Sequence, residues 1–110
     1  MSRPVMRASG SFSERVERQA RELLDGIELS AGKLAQVLAI VAADSEARRE
    51  LVRKHPERFG EQGAMIAERD ERIRVLLETD SQRAQFDRTV ERWRRIRSGE
   101  EPPPPAACTT

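Results

Sequence analysis

A capped joint between two helical segments is the feature that most constrains the fold of this chain. Between Ile73 and Trp93 the sequence reads IRVLLETDSQRAQFDRTVERW. Apolar residues at helical spacing end in Leu76 and Leu77, and a polar cluster of Glu, Thr, Asp and Ser follows. Residues of this kind cap helices, because their side-chain oxygens accept hydrogen bonds from unpaired backbone amides. The stretch predicts that one helix ends near Leu77 and that the next begins at about Gln82.

Similar start and stop signals divide the rest of the chain. Ser11 with Glu14 three residues later has the spacing of a capping box, and Ser13 is an alternative cap. Gly26 supplies the left-handed residue that often ends a helix. Ser30 is placed to cap a second helix, which must stop before Pro56. Together these signals predict helices over residues 12–25, 31–54, 61–77 and 82–97.

Apolar residues recur with a helical period in all four segments, and no run alternates with the period of two that a strand requires. The predicted core residues are Val16, Ala20, Leu23, Leu24, Leu34, Val37, Leu38, Val41, Ala47, Leu51, Val52, Ile66, Ile73, Leu76, Leu77, Phe86, Val90, Trp93 and Ile96. The charged stretch at residues 67–72 is predicted to be mostly solvated. The fold class is therefore all-α, with an antiparallel hairpin of the two longest helices, the second and third, flanked by two shorter helices.

One small domain, spanning residues 12–98, is predicted for this chain of 110 residues. Residues 1–11 contain Pro4, Gly10 and small polar residues, which predicts a flexible arm. Residues 99–110 contain four consecutive prolines, which predicts a disordered Pro-rich tail. The single cysteine, Cys108, lies in this tail, so an internal disulfide is excluded.

Membrane and export signals are both missing from the sequence as given. No stretch approaches the ~20 apolar residues that a transmembrane helix requires. The first twelve residues lack the apolar run of a signal peptide. We therefore expect a cytoplasmic protein as the sequence stands, and a periplasmic one if an export signal has been removed.

The residues needed for common active sites are too few. With one histidine and one tail cysteine, neither a Ser/His/acid nor a Cys/His set is expected. His55 precedes Pro56 at a predicted helix end, and a lone imidazole is a poor transition-metal site. There is no glycine-rich phosphate loop. We predict a non-enzymatic protein without a cofactor or a metal site.

Basic residues cluster in the predicted fourth helix. Arg92, Arg94, Arg95 and Arg97 form a candidate contact face for nucleic acid. The alternative is a solvated helix face with arginines near the helix C-terminus, where they complement the helix dipole. We favour the solvated face, because the net charge is only +1 and Trp93 alone interleaves with the arginines.

The stretch LLETDSQRAQFD resembles the LTxxQ-motif proteins of the bacterial envelope, which include the Spy-type periplasmic chaperones and heavy-metal-resistance proteins. Thr79, Gln82 and Phe86 match the family's Thr-x-x-Gln-x-x-x-Phe spacing, with Glu78 inserted after the motif leucine. A degenerate Leu-Ser-x-x-Lys copy occupies residues 29–33. The metal-binding members of the family use His and acidic ligands, a set that this chain lacks.

The resemblance implies a stress-response protein that holds or senses unfolded clients on a dimeric cradle. The motif residues are expected to order the joint and not to touch a client. We also expect a homodimer, because a long hairpin with few large core residues leaves apolar surface uncovered. The alternatives are a cytoplasmic helical adaptor or regulatory protein that binds one specific partner and, less favoured, a nucleic-acid-binding helical protein.

Overall fold

The computed structural model describes residues 11–103, and these residues form an all-α domain without a strand. Its four helices are α1 (Phe12–Leu23), α2 (Ala31–Lys54), α3 (Gln62–Arg74) and α4 (Asp80–Arg97). A 3₁₀ helix, Pro56–Glu61, joins α2 to α3. The predicted all-α class is confirmed. The prediction that α3 is one of the two longest helices is wrong, because α4 has 18 residues and α3 has 13. Most of the predicted flexible arm and the end of the predicted tail lie outside the described residues.

The helices begin at the capping residues that the sequence indicates. The Ser11 hydroxyl accepts a hydrogen bond from the Glu14 amide at 3.1 Å, and the Glu14 carboxylate accepts one from the Ser11 amide at 2.9 Å. The Ser30 hydroxyl accepts a hydrogen bond from the Lys33 amide at 3.2 Å. Pro56 lies in the first turn of the 3₁₀ helix. A backbone N–H at this position would have no acceptor within the helix, so the missing N–H of proline costs no hydrogen bond. Local chemistry therefore fixes where each of these elements starts.

The end of α3 and the start of α4 differ from the predicted boundaries, which were Leu77 and Gln82. Helix α3 ends at Arg74, and residues 75–79 form the connection to α4. Thr79 is the capping residue, so the next residue, Asp80, is already helical. The capping residue sits directly before the helix, two residues earlier than the predicted start requires.

The turn after α1 depends on a left-handed glycine. Gly26 has a φ of 80°, and the Ile27 amide donates a hydrogen bond to the Leu24 carbonyl at 2.8 Å. A Cβ atom on Gly26 would lie 3.3 Å from Nε2 of Gln85, a residue of α4. Both the backbone conformation and the close approach of α4 therefore favour glycine at this position.

Replacing Gly26 with alanine is expected to lower the free energy of unfolding by about 1–2 kcal/mol, because an L-residue in the left-handed region is strained. Gly32→Ala is the matched control. A Cβ there meets no atom within 4 Å, and Gly32 lies inside α2, so alanine should raise stability by up to about 0.5–1 kcal/mol. Urea unfolding of the two variants measures the difference, and equal effects would contradict the assigned strain.

Helices α2 and α3 pack against each other along their length. The Lys33 side chain, near the start of α2, donates a hydrogen bond to the Leu76 carbonyl just after α3, at 3.0 Å. Further along α2, Asp44 lies 4.0 Å from Arg69 in α3. Residue numbers rise along one helix as they fall along the other, which indicates opposite directions. Helix α1 packs on α2, and α4 contacts α1 and α3.

The core lies where the four helices meet. The predicted α1 stripe is fully buried, together with residues from the other three helices and the α3–α4 connection: Val16, Ala20, Leu23, Leu24, Val37, Val41, Ile73, Leu77 and Phe86. Two predicted core residues, Leu34 and Ala47, are exposed instead. Helix α2 carries apolar residues around most of its circumference, and its neighbours cover only part of it.

The prediction that residues 67–72 are solvated is wrong for two members of the stretch. Arg69 and Asp70 are only 4% and 8% exposed. Their side chains neutralise each other, since the Arg69 guanidinium lies 2.9 Å from the Asp70 carboxylate. Burial raises the pKa of Asp70, and the positive charge of Arg69 opposes that shift. Helix α3 therefore contributes a buried ion pair to the domain.

Helix α4 ends in a glycine turn that extends past residue 98, the predicted end of the domain. Gly99 has a φ of 84°, and its amide donates a hydrogen bond to the Ile96 carbonyl at 3.1 Å. The Glu100 amide donates to the Arg95 carbonyl at 2.8 Å. This pair of bonds defines a Schellman motif. It returns Glu100 and the next residue, also a glutamate, toward the arginines of α4.

Candidate functional site

The three motif residues of the resemblance lie together at the start of α4. The Thr79 hydroxyl accepts a hydrogen bond from the Gln82 amide at 3.0 Å, and the Gln82 side-chain oxygen accepts one from the Thr79 amide at 3.2 Å. The same oxygen accepts a hydrogen bond from the Glu78 amide at 2.7 Å. These contacts complete a capping box and order the joint between α3 and α4.

Gln82 also connects two joints that are distant in sequence. Its side-chain N–H donates to the Glu28 carbonyl, 54 residues earlier, at 3.2 Å. Gln85 makes a parallel bond to the Asp25 carbonyl, also at 3.2 Å. One turn after Gln82, Phe86 is 1% exposed and belongs to the core. The side-chain amides of Gln82 and Gln85 therefore bond the start of α4 to the α1–α2 connection, and the buried ring of Phe86 packs this part of α4 into the core.

Replacing Gln82 with alanine is expected to lower the free energy of unfolding by about 1–2 kcal/mol, since the variant loses one side of the capping box and the bond to Glu28. Gln36→Ala is the control, because Gln36 is exposed on α2 and its side chain makes no hydrogen bond within residues 11–103. Thermal unfolding by circular dichroism would show the difference. An equal loss in both variants would contradict the bridging role of Gln82.

Three of the four arginines predicted as a basic contact face are neutralised by nearby glutamates. The pairs are Arg92 with Glu101, Arg94 with Glu91 and Glu100, and Arg95 with Glu91 and Glu101. Hydrogen bonding from Arg94 lowers the pKa of Glu91, which stays ionised at neutral pH. The glutamates of the glycine turn occupy N–H donors that a phosphate backbone would need. The arrangement favours the solvated-face interpretation for these three residues.

Arg97, the fourth of these arginines, has a different environment. It makes no ion pair within 4.0 Å with any residue between 11 and 103. Partial burial and the positive charge of Arg69 lower the pKa of Arg97, and the negative charge of Asp70 opposes them. Its guanidinium therefore retains hydrogen-bond donors for a group outside the domain.

A groove between α3 and α4 brings Arg97 together with apolar surface. The groove has a volume of about 570 Å³. Ala67, Phe86 and Val90 are its apolar lining residues, and the acidic Asp70 and Glu71 line it as well. Near the α3–α4 connection, Arg74 and Asp87 form a two-bond ion pair at 2.9 and 3.0 Å. Hydrogen bonding from Arg74 lowers the pKa of Asp87, so the pair stays charged at neutral pH. Apolar side chains and charged side chains of both signs therefore line the groove.

Charged residues also distinguish the two ends of this groove. Arg74 and Asp87 close one end, while Gly63, Arg97 and Ser98 line the other. Because glycine has no side chain, Gly63 leaves open the end where Arg97 lies. A bound segment would therefore meet an open end with a basic residue. The groove could not be predicted from the sequence, because its two walls come from helices whose separation is not encoded in residue spacing.

The buried Arg69–Asp70 pair was also missed, although a signal was present. Ile66 and Ile73 belong to the predicted α3 stripe, and Arg69 and Asp70 fall three or four residues from each of them. At this spacing they occupy the buried face of the helix. The charged residue types favoured solvation, and the helical period favoured burial. The helical period predicts the observed burial of Arg69 and Asp70, and the residue types do not.

Other kinds of site are not found in the part of the chain that the structure describes. No group of three or more His, Cys, Asp or Glu side chains is placed to hold a metal ion within residues 11–103. His55 is half exposed and lies 3.5 Å from Glu57. Nor does any described helix have both the length and the apolar character to cross a bilayer.

Comparison with known proteins adds nothing to the resemblance, which depends only on Thr79, Gln82 and Phe86. No family model, curated protein or solved structure matches this chain. These residues have a structural role: Thr79 and Gln82 form a capping box, and the ring of Phe86 is buried in the core. Function must therefore be argued from the surfaces of the domain itself.

Proposed function

We propose that this protein is a non-enzymatic helical module that binds an amphipathic segment of one partner protein in the α3–α4 groove. One observation carries the proposal: the groove contains apolar surface together with Arg97, which has no ion-pair partner among the described residues. Grooves of about 300–1,000 Å³ with mostly apolar walls and few polar groups are typical binding sites. Amphipathic helices commonly bind in such grooves through side chains on one face.

The chemistry of the groove specifies its occupant. Small or medium apolar side chains would pack on Ala67 and Val90, above the ring of Phe86. An acidic side chain at the open end would pair with Arg97. The Arg74–Asp87 pair already satisfies its own charges, so it favours a polar or neutral residue at the opposite end. The partner segment is therefore apolar on one face with a carboxylate at one end.

Holding of unfolded clients by a homodimer is a second candidate function. The ordered joint at Thr79, Gln82 and Phe86 supports this function, because the resemblance implies that these residues order the same joint in the client-holding family. The large apolar side chains that are exposed among the described residues, Leu34, Phe59 and Val75, do not line the α3–α4 groove. A groove with defined ends favours selection of one segment over general client holding.

Selection from a displayed library of random 16-residue peptides tests the proposal. The library is selected against the wild-type protein, an Ala67→Glu variant and an Ala64→Glu control. Both alanines are exposed on α3, but only Ala67 lines the groove. We expect enriched amphipathic peptides with an acidic end that bind wild type and the control, lose binding to Ala67→Glu, and bind Arg97→Ala about fivefold more weakly.

The other outcomes are equally informative. Absence of enriched peptides, or equal binding to Ala67→Glu and Ala64→Glu, overturns the proposal. Light scattering detects self-association, and a dimer lost only in Ala67→Glu would assign the groove to a second copy of the chain instead. Suppression of aggregation of a denatured client at stoichiometric ratios, unaffected by Ala67→Glu, would favour general client holding.

A further inference from the structure

A second concave surface lies between α1 and α2 and has the opposite character. This arginine cup, defined by Phe12, Arg15, Arg18, Arg48 and Arg49, has a volume of about 440 Å³. Glu22 is the one acidic residue among those that line it. Four arginines from two helices line the cup, and one of them, Arg48, is paired with Asp44 outside it.

An aromatic ring holds two of these arginines in place. The guanidinium carbon of Arg49 lies 5.0 Å from the centre of the Phe12 ring, and that of Arg15 lies 5.9 Å away. A cation–π contact uses the face of the guanidinium. The N–H donors lie at its edge, so this contact positions Arg49 without occupying them.

Two arginines of the cup, Arg18 and Arg49, differ in this respect from the arginines at the end of α4. Arg92, Arg94 and Arg95 donate their N–H groups to glutamates. In the cup, Arg18 and Arg49 make no ion pair with the residues described. Arg48 donates only its Nε to Asp44, at 2.8 Å.

We propose that the arginine cup binds a ligand that carries two or more phosphate groups. Guanidinium groups bind phosphate oxygens through paired N–H donors, and several of them are needed to balance a multiply charged anion. Gln19 and Ser45, which are hydrogen-bonded to each other at 3.4 Å, add polar groups to the wall. The phosphates could belong to a free polyphosphorylated molecule or to a nucleic-acid strand, and the experiment separates these sources. The inference is independent of the α3–α4 groove.

Titration calorimetry with inorganic tripolyphosphate, at low and moderate salt, tests the cup. We expect saturable binding that Arg18→Gln and Arg49→Gln each weaken about tenfold, because each removes charge-assisted hydrogen bonds. Arg53→Gln is the matched control. It removes the same charge one turn further along α2, from an arginine that is paired with Glu50 and does not line the cup. Its affinity should stay close to that of wild type.

A Phe12→Leu variant separates a built site from simple charge attraction. It keeps the net charge and an apolar side chain but removes the aromatic face, so we expect weaker tripolyphosphate binding. A labelled 20-nucleotide single strand forms the second arm. Competition between the strand and tripolyphosphate would identify strand phosphates as a ligand, and tripolyphosphate binding alone would identify a small molecule.

Three results would overturn the inference. The first is no saturable binding of either probe. The second is an equal loss of affinity in Arg49→Gln and Arg53→Gln, which would indicate general electrostatic attraction. The third is strand binding that Arg18→Gln and Arg49→Gln leave unchanged, which would place the contact elsewhere.

Discussion

Replacing Phe86 with alanine is expected to lower the free energy of unfolding by about 3–5 kcal/mol, as for other large aromatic residues truncated in a core. Phe86 is 1% exposed and is the largest of the fully buried side chains. It packs in the cluster that contains Val37, Val41 and Ile73. Since small domains have a total stability of about 5–15 kcal/mol, the variant should be marginally folded.

Phe59→Ala provides the control for this experiment. Phe59 lies in the 3₁₀ helix and is 63% exposed, so its removal should change stability by less than about 0.5 kcal/mol. Chemical denaturation followed by circular dichroism measures both variants. If Phe86→Ala lost no more stability than Phe59→Ala, the assignment of Phe86 to the core would be wrong.

Replacing Arg69 with methionine is expected to destabilise the domain by about 3–5 kcal/mol at neutral pH, because removing one partner of a buried pair leaves a charge uncompensated. The Arg69 side chain is 3% exposed and lies 2.9 Å from Asp70 and 4.0 Å from Asp44. Methionine preserves most of the side-chain length, so the loss reports on charge more than on packing. The unfolding midpoint in urea is the measurement.

The loss should be smaller at pH 5 than at pH 7. Burial already raises the pKa of Asp70 above its ordinary value, and Arg69 opposes that shift. Without Arg69 the folded-state pKa rises further above the unfolded-state pKa. The folded state then binds more protons, and stability increases as the pH falls toward the raised pKa. A pH-independent loss would contradict this account.

Two further variants separate charge from packing at the same site. In Arg69→Met/Asp70→Leu both charges are replaced by apolar side chains, while Asp44 keeps its 2.8 Å ion pair with Arg48. We expect this double variant to recover most of the lost stability. Arg72→Met removes an arginine that is 63% exposed, and its unfolding midpoint should stay near that of wild type. A double variant less stable than Arg69→Met alone would contradict the proposed charge balance.

Most of the secondary structure could be predicted from short stretches of sequence. The caps at Ser11, Ser30 and Thr79 act within three residues, so their partners are visible in the sequence. The α1 stripe is buried as its period indicates. The start of α4 differs from the prediction because the position of its cap relative to the helix was misjudged, and α1 and α3 end two and three residues before their predicted ends.

The charged residues were harder to predict, because their environment depends on neighbouring helices. Arg97 resembles Arg94 and Arg95 in sequence, yet only Arg97 faces the end of the groove without an ion pair among residues 11–103. The difference arises from the glycine turn after α4, which returns Glu100 toward Arg94 and away from Arg97. Residue type alone did not distinguish these positions.

The sequence by itself determined an all-α fold, the capped starts of three helices and the glycine that ends α1. These features depend on hydrogen bonds and conformational preferences that act within a few residues of each other. Only the tertiary structure decided that Gln82 would reach Glu28, that Arg69 and Asp70 would be buried, and that a groove and an arginine cup would form. Each of these depends on the distance between separate helices, which packing of the whole core sets and no local spacing records.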